Sequence, residues 1–301
     1  MKIGLALSSG SVRGLSHIGV LKVLEKNKIK IDYIAGYSIG AVIAALYASG
    51  ISPKELEKIS LKTDLKDLAD FTIPYEGLIK GDEIENLIKK LTKNKSFSDL
   101  KIPLSIVATD IKSGKKLIIN KGSLAKAVRA SISIPAIFKP YMINKRVILD
   151  GGITDPLPVD VVKKMGADFI IAVDATPSFN HLNTNSLKRK FLNDECNIVK
   201  KDLHKDYLKT FIESTKKVIS SKIQSAKLPY PLALALDSIA LMEKQLAIDS
   251  AKRANIAIIP NIPNINTISQ SSKRYYIKQG ELAAQKYTER FIKLRSLKKS
   301  K

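Results

Sequence analysis

The sequence predicts an α/β protein built around a mostly parallel sheet. The first apolar segment, Lys2–Ser8, lacks polar alternation, which is typical of a strand buried on both faces. An amphipathic segment follows over Ser16–Asn27, where apolar residues recur along one side of a helix. The same strand-then-helix order recurs at Asp32–Gly36 and Ile39–Ser49. This alternation implies parallel strands that are joined by right-handed crossovers.

The remaining elements follow from the same patterns in chain order. Helices are predicted to begin at Pro53 and to cover Asp82–Leu91, Leu124–Ser131, Val159–Met165 and about Tyr275 to Leu294. Strands are predicted over Leu104–Asp110, Arg146–Leu149, Phe169–Asp174 and Ala254–Ile259, and Lys115–Asn120 is expected to pair with the first of these in a hairpin. The uncharged run 33–53 is long enough to span a bilayer. Its Gly and Ser residues favour a buried strand, turn and helix instead.

Residues 177–230 interrupt this pattern. They hold eleven Lys and Arg residues against five Asp and Glu residues. One face of a helix predicted there is apolar and consists of Leu208, Phe211, Ile212, Val218, Ile219 and Ile223. We therefore expect a helical basic insertion or cap within a single domain over 1–301, whose core covers about 1–176 and 231–295.

The composition limits the kinds of chemistry that are available. The chain has 301 residues, of which 45% are hydrophobic, and this excludes a disordered or low-complexity protein. Its single cysteine, Cys196, excludes an internal disulfide framework and a zinc site made of cysteines. Three histidines leave little material for metal binding. The sequence therefore predicts a site that uses no metal and no cofactor.

The net charge of +23 arises from 51 Lys and Arg residues against 28 Asp and Glu residues. This excess favours contact with an anionic surface, although a Lys-rich composition bias explains the same number. Lys dominates Arg, and no base-reading motif is present, which argues against nucleic acid. We therefore hypothesise peripheral contact with an anionic membrane through 177–230 and the basic C-terminal end. The apolar segment after Lys2 is shorter than a signal-peptide core, so we expect a cytoplasmic protein, peripheral at most on the inner face of the membrane.

A G-x-S-x-G sequence runs from Gly36 to Gly40 and carries Ser38 at its centre. It lies where a predicted strand ends and a predicted helix begins, which is the context that a nucleophile elbow requires. The glycines permit the tight turn, and the start of the helix favours developing negative charge beside the hydroxyl. An ordinary Gly/Ser turn can have the same sequence. The motif therefore indicates a nucleophile only together with catalytic partners elsewhere in the chain.

Small residues also follow the first strand, in the sequence Ser8-Ser9-Gly10-Ser11-Val12-Arg13-Gly14. A backbone that curls here can point successive N–H groups at one spot and bind an anion. Beside a nucleophile, such a loop is a candidate oxyanion hole. A nucleotide phosphate loop is excluded by the spacing, since neither G-x-G-x-x-G nor a Gly-Lys-Ser/Thr ending is present.

A third candidate is Asp150, which is followed by Gly151 and Gly152 and closes the strand that begins at Arg146. We expect it at the carboxyl end of a parallel strand, the edge where α/β proteins place ligands. An α/β-hydrolase triad would instead require His181 or His204 after the acid. That fold usually places several strands before its elbow, and here only one precedes the elbow strand. A dyad in which Asp150 acts directly on Ser38 fits better.

His17 precedes Ser38 and falls in the first predicted helix, on or near its packed side. Such a histidine is more often part of the core than a catalyst. We therefore expect it to take no part in the chemistry.

Four segments together resemble the bacterial form of the patatin-like phospholipase family: LALSSGSVRGLSHIGVLKVLE, IDYIAGYSIGAVIAALYASG, VRASISIPAIFKP and VILDGGITDPLPVDVVKKMGADFIIAVD. They cover roughly the first 175 residues. The resemblance implies a three-layer α/β/α fold and a lipid acyl hydrolase without a metal. It assigns Ser38 as the nucleophile, Asp150 as the general base and Ser9–Gly14, including Arg13, as the oxyanion loop.

One departure from the family concerns this loop, where Ser8, Ser9 and Ser11 replace a run of glycines. A Ser is disfavoured where the backbone needs a positive φ, so a positive φ at Ser11 would put the loop geometry in doubt. We expect hydrolysis of phospholipids or other fatty-acyl esters. The alternatives are a soluble esterase or thioesterase on the same dyad, and a non-catalytic lipid-binding or regulatory protein that retains the fold.

Overall fold

A computed structural model describes residues 1–64, 68–70, 77–176, 230–262 and 269–299. The strands are β1 (Ile3–Leu7), β2 (Tyr33–Gly36), β3 (Leu104–Asp110), β4 (Lys115–Ile119), β5 (Tyr141–Ile143), β6 (Arg146–Asp150), β7 (Phe169–Val173) and β8 (Ile256–Ile258). The helices are α1 (Ser16–Lys26), α2 (Ile39–Ala48), α3 (Pro53–Lys62), α4 (Asp82–Thr92), α5 (Leu124–Ser131), α6 (Val159–Lys164), α7 (Tyr230–Ala251), α8 (Gln270–Gln285) and α9 (Thr288–Lys299). The predicted elements up to β8 are confirmed to within two residues at each end.

The sheet is mixed and mostly parallel, as predicted. Its hydrogen-bonded neighbours follow the order β5-β6-β3-β2-β1-β7-β8, and β4 pairs with β3 in addition. The pairs β1–β2, β1–β7, β2–β3 and β7–β8 are parallel. The pairs that involve β4, β5 and β6 are antiparallel.

Strands β2 and β6 share one edge of β3. Ile106 pairs with Gly36 on β2 and with Ile119 on β4, so β2 and β4 lie on opposite edges of β3. Ala108 pairs with Asp150 on β6 and also with β4, which places β6 on the same edge as β2. The two strands therefore approach each other head-on, and their last residues are about 7 Å apart along β3.

This arrangement corrects one expectation. Asp150 closes a strand that runs antiparallel to its neighbour β3, not the parallel strand that the sequence suggested. The reason lies in β5, which turns back through Asn144 and Lys145, both with positive φ, and forms a hairpin with β6. The hairpin reverses the chain before β6 joins the sheet. Asp150 still reaches the edge where β2 ends, from the opposite direction.

Helices cover both faces of the sheet and complete the three-layer α/β/α fold. On β1, Ile3, Leu5 and Leu7 point into the larger core, where they pack with residues of α1, α2, α5 and α8. Ala6 points into a second core beneath α6 and α7. Gly4 lies on this second face, where a Cβ atom would come within 2.0 Å of Val162. Small residues on one face of β1 therefore let α6 approach the sheet closely.

The C-terminal region differs from the prediction in two respects. The sequence did not indicate α7, and the single final helix expected at about 275–294 is two helices, α8 and α9. Tyr287 lies between them, and its hydroxyl donates a hydrogen bond to the Ala257 carbonyl at 2.8 Å. This bond ties the residue between the two helices to the last strand. The predicted insertion at 177–230 falls outside the described residues except for Tyr230, which begins α7.

Helices α1 and α8 pack through reciprocal glycines, and this contact gives a test of the fold. A Cβ atom at Gly280 would lie 1.9 Å from the Ser16 carbonyl oxygen, and one at Gly19 would lie 1.9 Å from the Ile277 carbonyl oxygen. Gly280→Ala should therefore lower the free energy of unfolding by about 1–3 kcal/mol, because the backbones must separate. Urea unfolding measures this change. Arg274→Ala, on the exposed side of α8, is the matched control, and an equal effect of both variants would contradict the packing.

Candidate active site

Ser38 lies in a strained turn between β2 and α2. Its φ of 50° and ψ of −126° are rare for a residue with a side chain. The two flanking glycines allow this turn. A Cβ atom at Gly36 would lie 2.7 Å from the Gly40 backbone, and one at Gly40 would lie 2.3 Å from the Ser8 carbonyl oxygen. The elbow geometry predicted from the G-x-S-x-G spacing is therefore present.

Ser131, at the end of α5, holds this turn in place. Its hydroxyl accepts a hydrogen bond from the Ser38 backbone N–H at 2.9 Å and donates one to the Val107 carbonyl at 2.6 Å. All three groups are buried. Ser131 lies within the segment VRASISIPAIFKP that resembles the family, but the sequence analysis gave it no role. A serine near the end of a helix is common and does not by itself indicate a function.

The loop that follows β1 is clamped to the end of β7. The Ser8 hydroxyl accepts a hydrogen bond from the Ala175 N–H at 2.8 Å. Gly10 has a φ of 144°, and a Cβ atom there would lie 2.4 Å from the Ala175 carbonyl oxygen. Gly14 faces Ile39 at the start of α2, where a Cβ atom would come within 2.3 Å of that side chain. Gly10 and Gly14 are the two glycines that the loop keeps, and close contacts require glycine at both.

Within this loop, Ser11 adopts a φ of 52°. This is the positive φ that the sequence analysis identified as unfavourable for a serine. A left-handed conformation costs a residue with a Cβ roughly 1–2 kcal/mol. The loop nevertheless continues into a short 3₁₀ helix over Ser11–Leu15, in which the Arg13 N–H donates to the Gly10 carbonyl at 3.0 Å. Ser11 and Val12 contribute to the cavity beside Ser38, whereas Ser9 and Arg13 do not line it. Arg13 is half-buried, and burial lowers its pKa, an effect that the neighbouring Tyr276 opposes.

His17 contacts the loop after β1, and no hydrogen bond joins it to Ser38 among the described residues. It is fully buried, and its Nε2 lies 2.8 Å from the Ser8 carbonyl oxygen. Burial lowers the pKa of His17 to about 4, so the ring is neutral near pH 7 and donates to Ser8 through Nε2. The other two histidines, His181 and His204, lie outside the described residues.

Asp150 is buried beside Ser38, with only 3% of its surface exposed. Its Oδ1 accepts a hydrogen bond from the Gly152 N–H at 2.9 Å, while its Oδ2 has no hydrogen-bond partner among the described residues. Burial raises the pKa of Asp150 to about 7, and the Gly152 N–H and the nearby Ser38 hydroxyl counteract part of that rise. The carboxyl group therefore has an unfilled acceptor position and can exchange a proton near neutral pH.

Gly151 and Gly152 allow β6 to end this close to β2. A Cβ atom at Gly151 would lie 2.4 Å from the Val107 carbonyl oxygen and 2.9 Å from the Tyr37 side chain. A Cβ atom at Gly152 would lie 2.2 Å from Oε1 of Glu243, on α7. The glycines predicted to support the aspartate therefore bring it against the elbow. They also bring it against a second carboxyl group that the sequence did not identify.

A cavity of about 250 Å³ opens beside Ser38. Its walls are almost entirely aliphatic and come from the loop after β1, from α2, α3 and α4, and from the segment after α5. The residues that line it include Leu15, Val42, Leu46, Leu56, Ile84, Ile88, Ile132 and Phe138. Lys273 also lines it, and its Nζ donates to the Ser60 and Thr63 carbonyls, so two of its three N–H donors are already used. The site thus combines a hydroxyl, a carboxyl group and an apolar pocket.

In the part of the chain that the structure describes, no group of three or more His, Cys, Asp or Glu side chains could hold a metal ion. No described helix is both long enough and apolar enough to cross a membrane.

Comparison with known proteins identifies the family. The sequence model of the family described as "Patatin-like phospholipase" matches residues 5–163, or 159 of the 301 residues. The chain belongs to the patatin-like phospholipase family. The matched range contains the elbow, the loop after β1 and Asp150. The family assignment made from the four sequence segments is confirmed.

Relatives of this patatin-like chain include an uncharacterized NTE family protein of Mycobacterium bovis, 35% identical over 180 residues. That alignment covers 59% of this chain and 50% of the mycobacterial protein. The human patatin-like phospholipase domain-containing protein 6 is 34% identical over 180 residues, which cover 57% of this chain and 13% of the human protein. The chain therefore spans half or less of the length of these relatives.

The fold also resembles a solved structure. The crystal structure of VipD from Legionella pneumophila superimposes with a TM-score of 0.51 and 17% sequence identity, covering 96% of this chain and 67% of VipD. At this identity the likeness concerns the fold alone.

The contacts of Ser131 give a test of the elbow. Ser131→Ala should lower the free energy of unfolding by about 1–3 kcal/mol, because it leaves the Ser38 N–H buried without an acceptor. Urea unfolding provides the measurement. Ser98→Ala, at an exposed position, is the control, and a loss in Ser131→Ala no greater than in this control would show that the turn does not depend on Ser131.

Proposed function

We propose that this protein is a serine acyl hydrolase that cleaves fatty-acyl esters, with phospholipids as the substrate class. The observation that carries the proposal is the aliphatic cavity beside Ser38, which is suited to an acyl chain whose ester carbonyl reaches the hydroxyl. Membership of the patatin-like phospholipase family supports the same substrate class. A non-catalytic lipid-binding protein would not require Ser38 in a strained turn beside a buried carboxyl group.

In the proposed mechanism, Ser38 attacks the ester carbonyl while Asp150 accepts the hydroxyl proton. The free Oδ2 of Asp150 and its pKa near 7 suit a general base that operates near neutral pH. The protonated Asp150 then gives its proton to the leaving alcohol, and an acyl-enzyme remains on Ser38. A water molecule, activated by Asp150, attacks the acyl-enzyme and releases the fatty acid.

The oxyanion of each tetrahedral intermediate would be held by backbone N–H groups of the loop after β1. Ser11 and Val12 support this role because they line the same cavity as Ser38. Loss of one donor in such a site typically costs a factor of about 10²–10³ in rate. Gly10 and Gly14 contribute by fixing the path of the loop. For Ser9 and Arg13, the family resemblance predicts a place in the oxyanion loop, and this stays a prediction.

Membrane contact is part of this proposal only as a prediction. The basic segment at 177–230, with Lys209, Lys216 and Lys217, lies almost wholly outside the described residues. The basic C-terminal end is described by the structure as α9, and we expect its basic residues, such as Lys293 and Arg295, to contact anionic lipid.

The dyad can be tested by substitution. Ser38→Ala and Asp150→Asn should each reduce hydrolysis of a phospholipid by at least about 10³-fold, and the double variant should be no worse than either, because the two groups act as one unit. Product release from mixed micelles, together with labelling of Ser38 by a fluorophosphonate probe, provides the measurement.

Two controls accompany this test. A variant in which His17, His181 and His204 are all replaced should keep the chemical step if it folds. Loss of turnover in the folded variant would revive a triad. Hydrolysis of short soluble esters without activity on phospholipid would instead favour a soluble esterase or thioesterase.

The pH dependence follows from the raised pKa of Asp150. Because the base must be ionised, kcat/KM should fall by about tenfold per pH unit below pH 7. Rates on a soluble ester whose own ionisation does not change over pH 5–8 test this. An unchanged kcat/KM between pH 5 and pH 7 would exclude Asp150 as a base with that pKa.

A further inference from the structure

Glu243 on α7 places a second carboxyl group against the candidate dyad. Its Oε1 lies 2.2 Å, and its Cδ 2.6 Å, from the position that a Cβ atom at Gly152 would occupy. The Tyr37 ring approaches the same position to 2.8 Å. Since the Gly152 N–H is the donor to Asp150 Oδ1, the Glu243 carboxyl packs on the residue that orients the candidate base.

Helix α7 is fixed where it presents Glu243. The next residue, Lys244, donates to Asp174 Oδ2 at 2.7 Å and to the Thr176 hydroxyl at 3.3 Å, just beyond β7. Lys244 and Asp174 are both buried. A buried ion pair that lost one partner would leave an uncompensated charge, so this contact strongly favours the observed placement of α7. Glu243 is therefore held against Gly152 by its neighbour.

The groups that face Glu243 are acidic or neutral. Tyr37 is fully buried, and its hydroxyl has no hydrogen-bond partner among the described residues. Glu243 itself makes no recorded ion pair or hydrogen bond within the described part of the chain. Lys244, the cation of α7, pairs with Asp174, and the nearby cations Lys116, Arg253 and Lys252 pair with Asp155, Asp160 and Asp249. Lys163 and Lys164, at the end of α6, are exposed to solvent.

Asp150 is buried and Glu243 is half-buried beside it, and two such carboxyl groups without a cation between them in the described part of the chain cannot both ionise easily. Burial, followed by the charge of Asp150, raises the pKa of Glu243 to about 8. Asp150 loses its proton first, because the Gly152 N–H stabilises its carboxylate, whereas Glu243 has no such donor among the described residues. The first negative charge of the pair therefore falls on Asp150.

We propose that Glu243 is a positioning residue for Asp150: in its neutral form it leaves the single negative charge of the pair on the base, and on ionisation it slows the reaction. The proposal rests on the role of Asp150 given above. A second carboxylate beside the site would oppose the negative charge that develops on the substrate carbonyl during attack by Ser38. At the effective dielectric near a protein site, one such charge several ångströms away is expected to lower the rate by about tenfold.

The test compares Glu243→Gln, which removes the ionisation at nearly constant shape, with Asp249→Asn, which removes an exposed carboxyl group from the same helix. In the wild type and in Asp249→Asn, kcat/KM on a soluble ester should fall about tenfold above pH 8 as Glu243 ionises. Glu243→Gln should keep the acid limb near pH 7 and lose the basic limb. Coincident profiles for Glu243→Gln and wild type would overturn the proposal while leaving the hydrolase function intact.

A second measurement does not depend on activity. The folded-state pKa of Glu243 lies above its usual value of 4.5, so the folded protein binds the proton more tightly than the unfolded chain does. The resulting stability is present below pH 4.5 and is lost as the pH rises through about 8. Between pH 5.5 and pH 9, the urea midpoint should fall less in Glu243→Gln than in wild type and Asp249→Asn. Equal falls in all three proteins would overturn the proposal, even if no ester were hydrolysed.

A measurement on the wild type covers the case in which Glu243→Gln fails to fold. Carboxyl ¹³C NMR of protein labelled at glutamate should show one resonance that titrates near pH 8. A spectrum in which every glutamate carboxyl group has titrated below pH 6 would overturn the proposal.

Discussion

Strands β2 and β6 reach the same edge of β3 from opposite directions and end at Gly36 and Asp150, on either side of Val107. The chain that leaves each strand must then turn away within one or two residues, since both backbones would otherwise occupy the same space. This requirement accounts for the glycines at the junction, because a Cβ atom at Gly36 or Gly151 would lie within 2.7 Å of neighbouring backbone. Because Ser38 and Asp150 lie at or just beyond the ends of these two strands, the Ser38 hydroxyl and the Asp150 carboxyl group come together.

The strained conformations of Ser11 and Ser38 depend on the contacts that surround this junction. A positive φ at such residues persists only where neighbouring structure determines the backbone strongly. At Ser38 the hydrogen bond to Ser131 fixes the N–H, and α2 continues the chain on the other side. At Ser11 the clamp of Gly10 against Ala175 has the corresponding effect. Both strained residues line the apolar cavity, so the strain is located where a substrate would bind.

The sequence was sufficient for the elements that local pattern determines. Apolar runs and glycine spacing identified β1, β2 and the elbow at Ser38, and the order of the segments identified the family. It could not show that β6 is antiparallel, because hairpin reversal at Asn144 and Lys145 leaves no distinctive hydrophobic period. Glu243 was missed for a different reason. It lies 93 residues beyond Asp150 in a helix rich in apolar residues, and only the packing of α7 on Gly152 brings the two together.

Burial gives the candidate base its strength and also limits the conditions under which it can act. A carboxylate in water, with a pKa near 4, is a weak base for a serine hydroxyl, whereas burial raises the pKa of Asp150 to about 7. The rise is limited by the Gly152 N–H, which stabilises the ionised form, so the group is still charged at neutral pH. The neighbouring acid, Glu243, is half-buried, and its pKa is raised to about 8 by burial and then by the charge of Asp150. The fold therefore gives the proposed base, Asp150, a pKa in the range that a histidine covers, because burial of the carboxyl group is the largest cause of the rise.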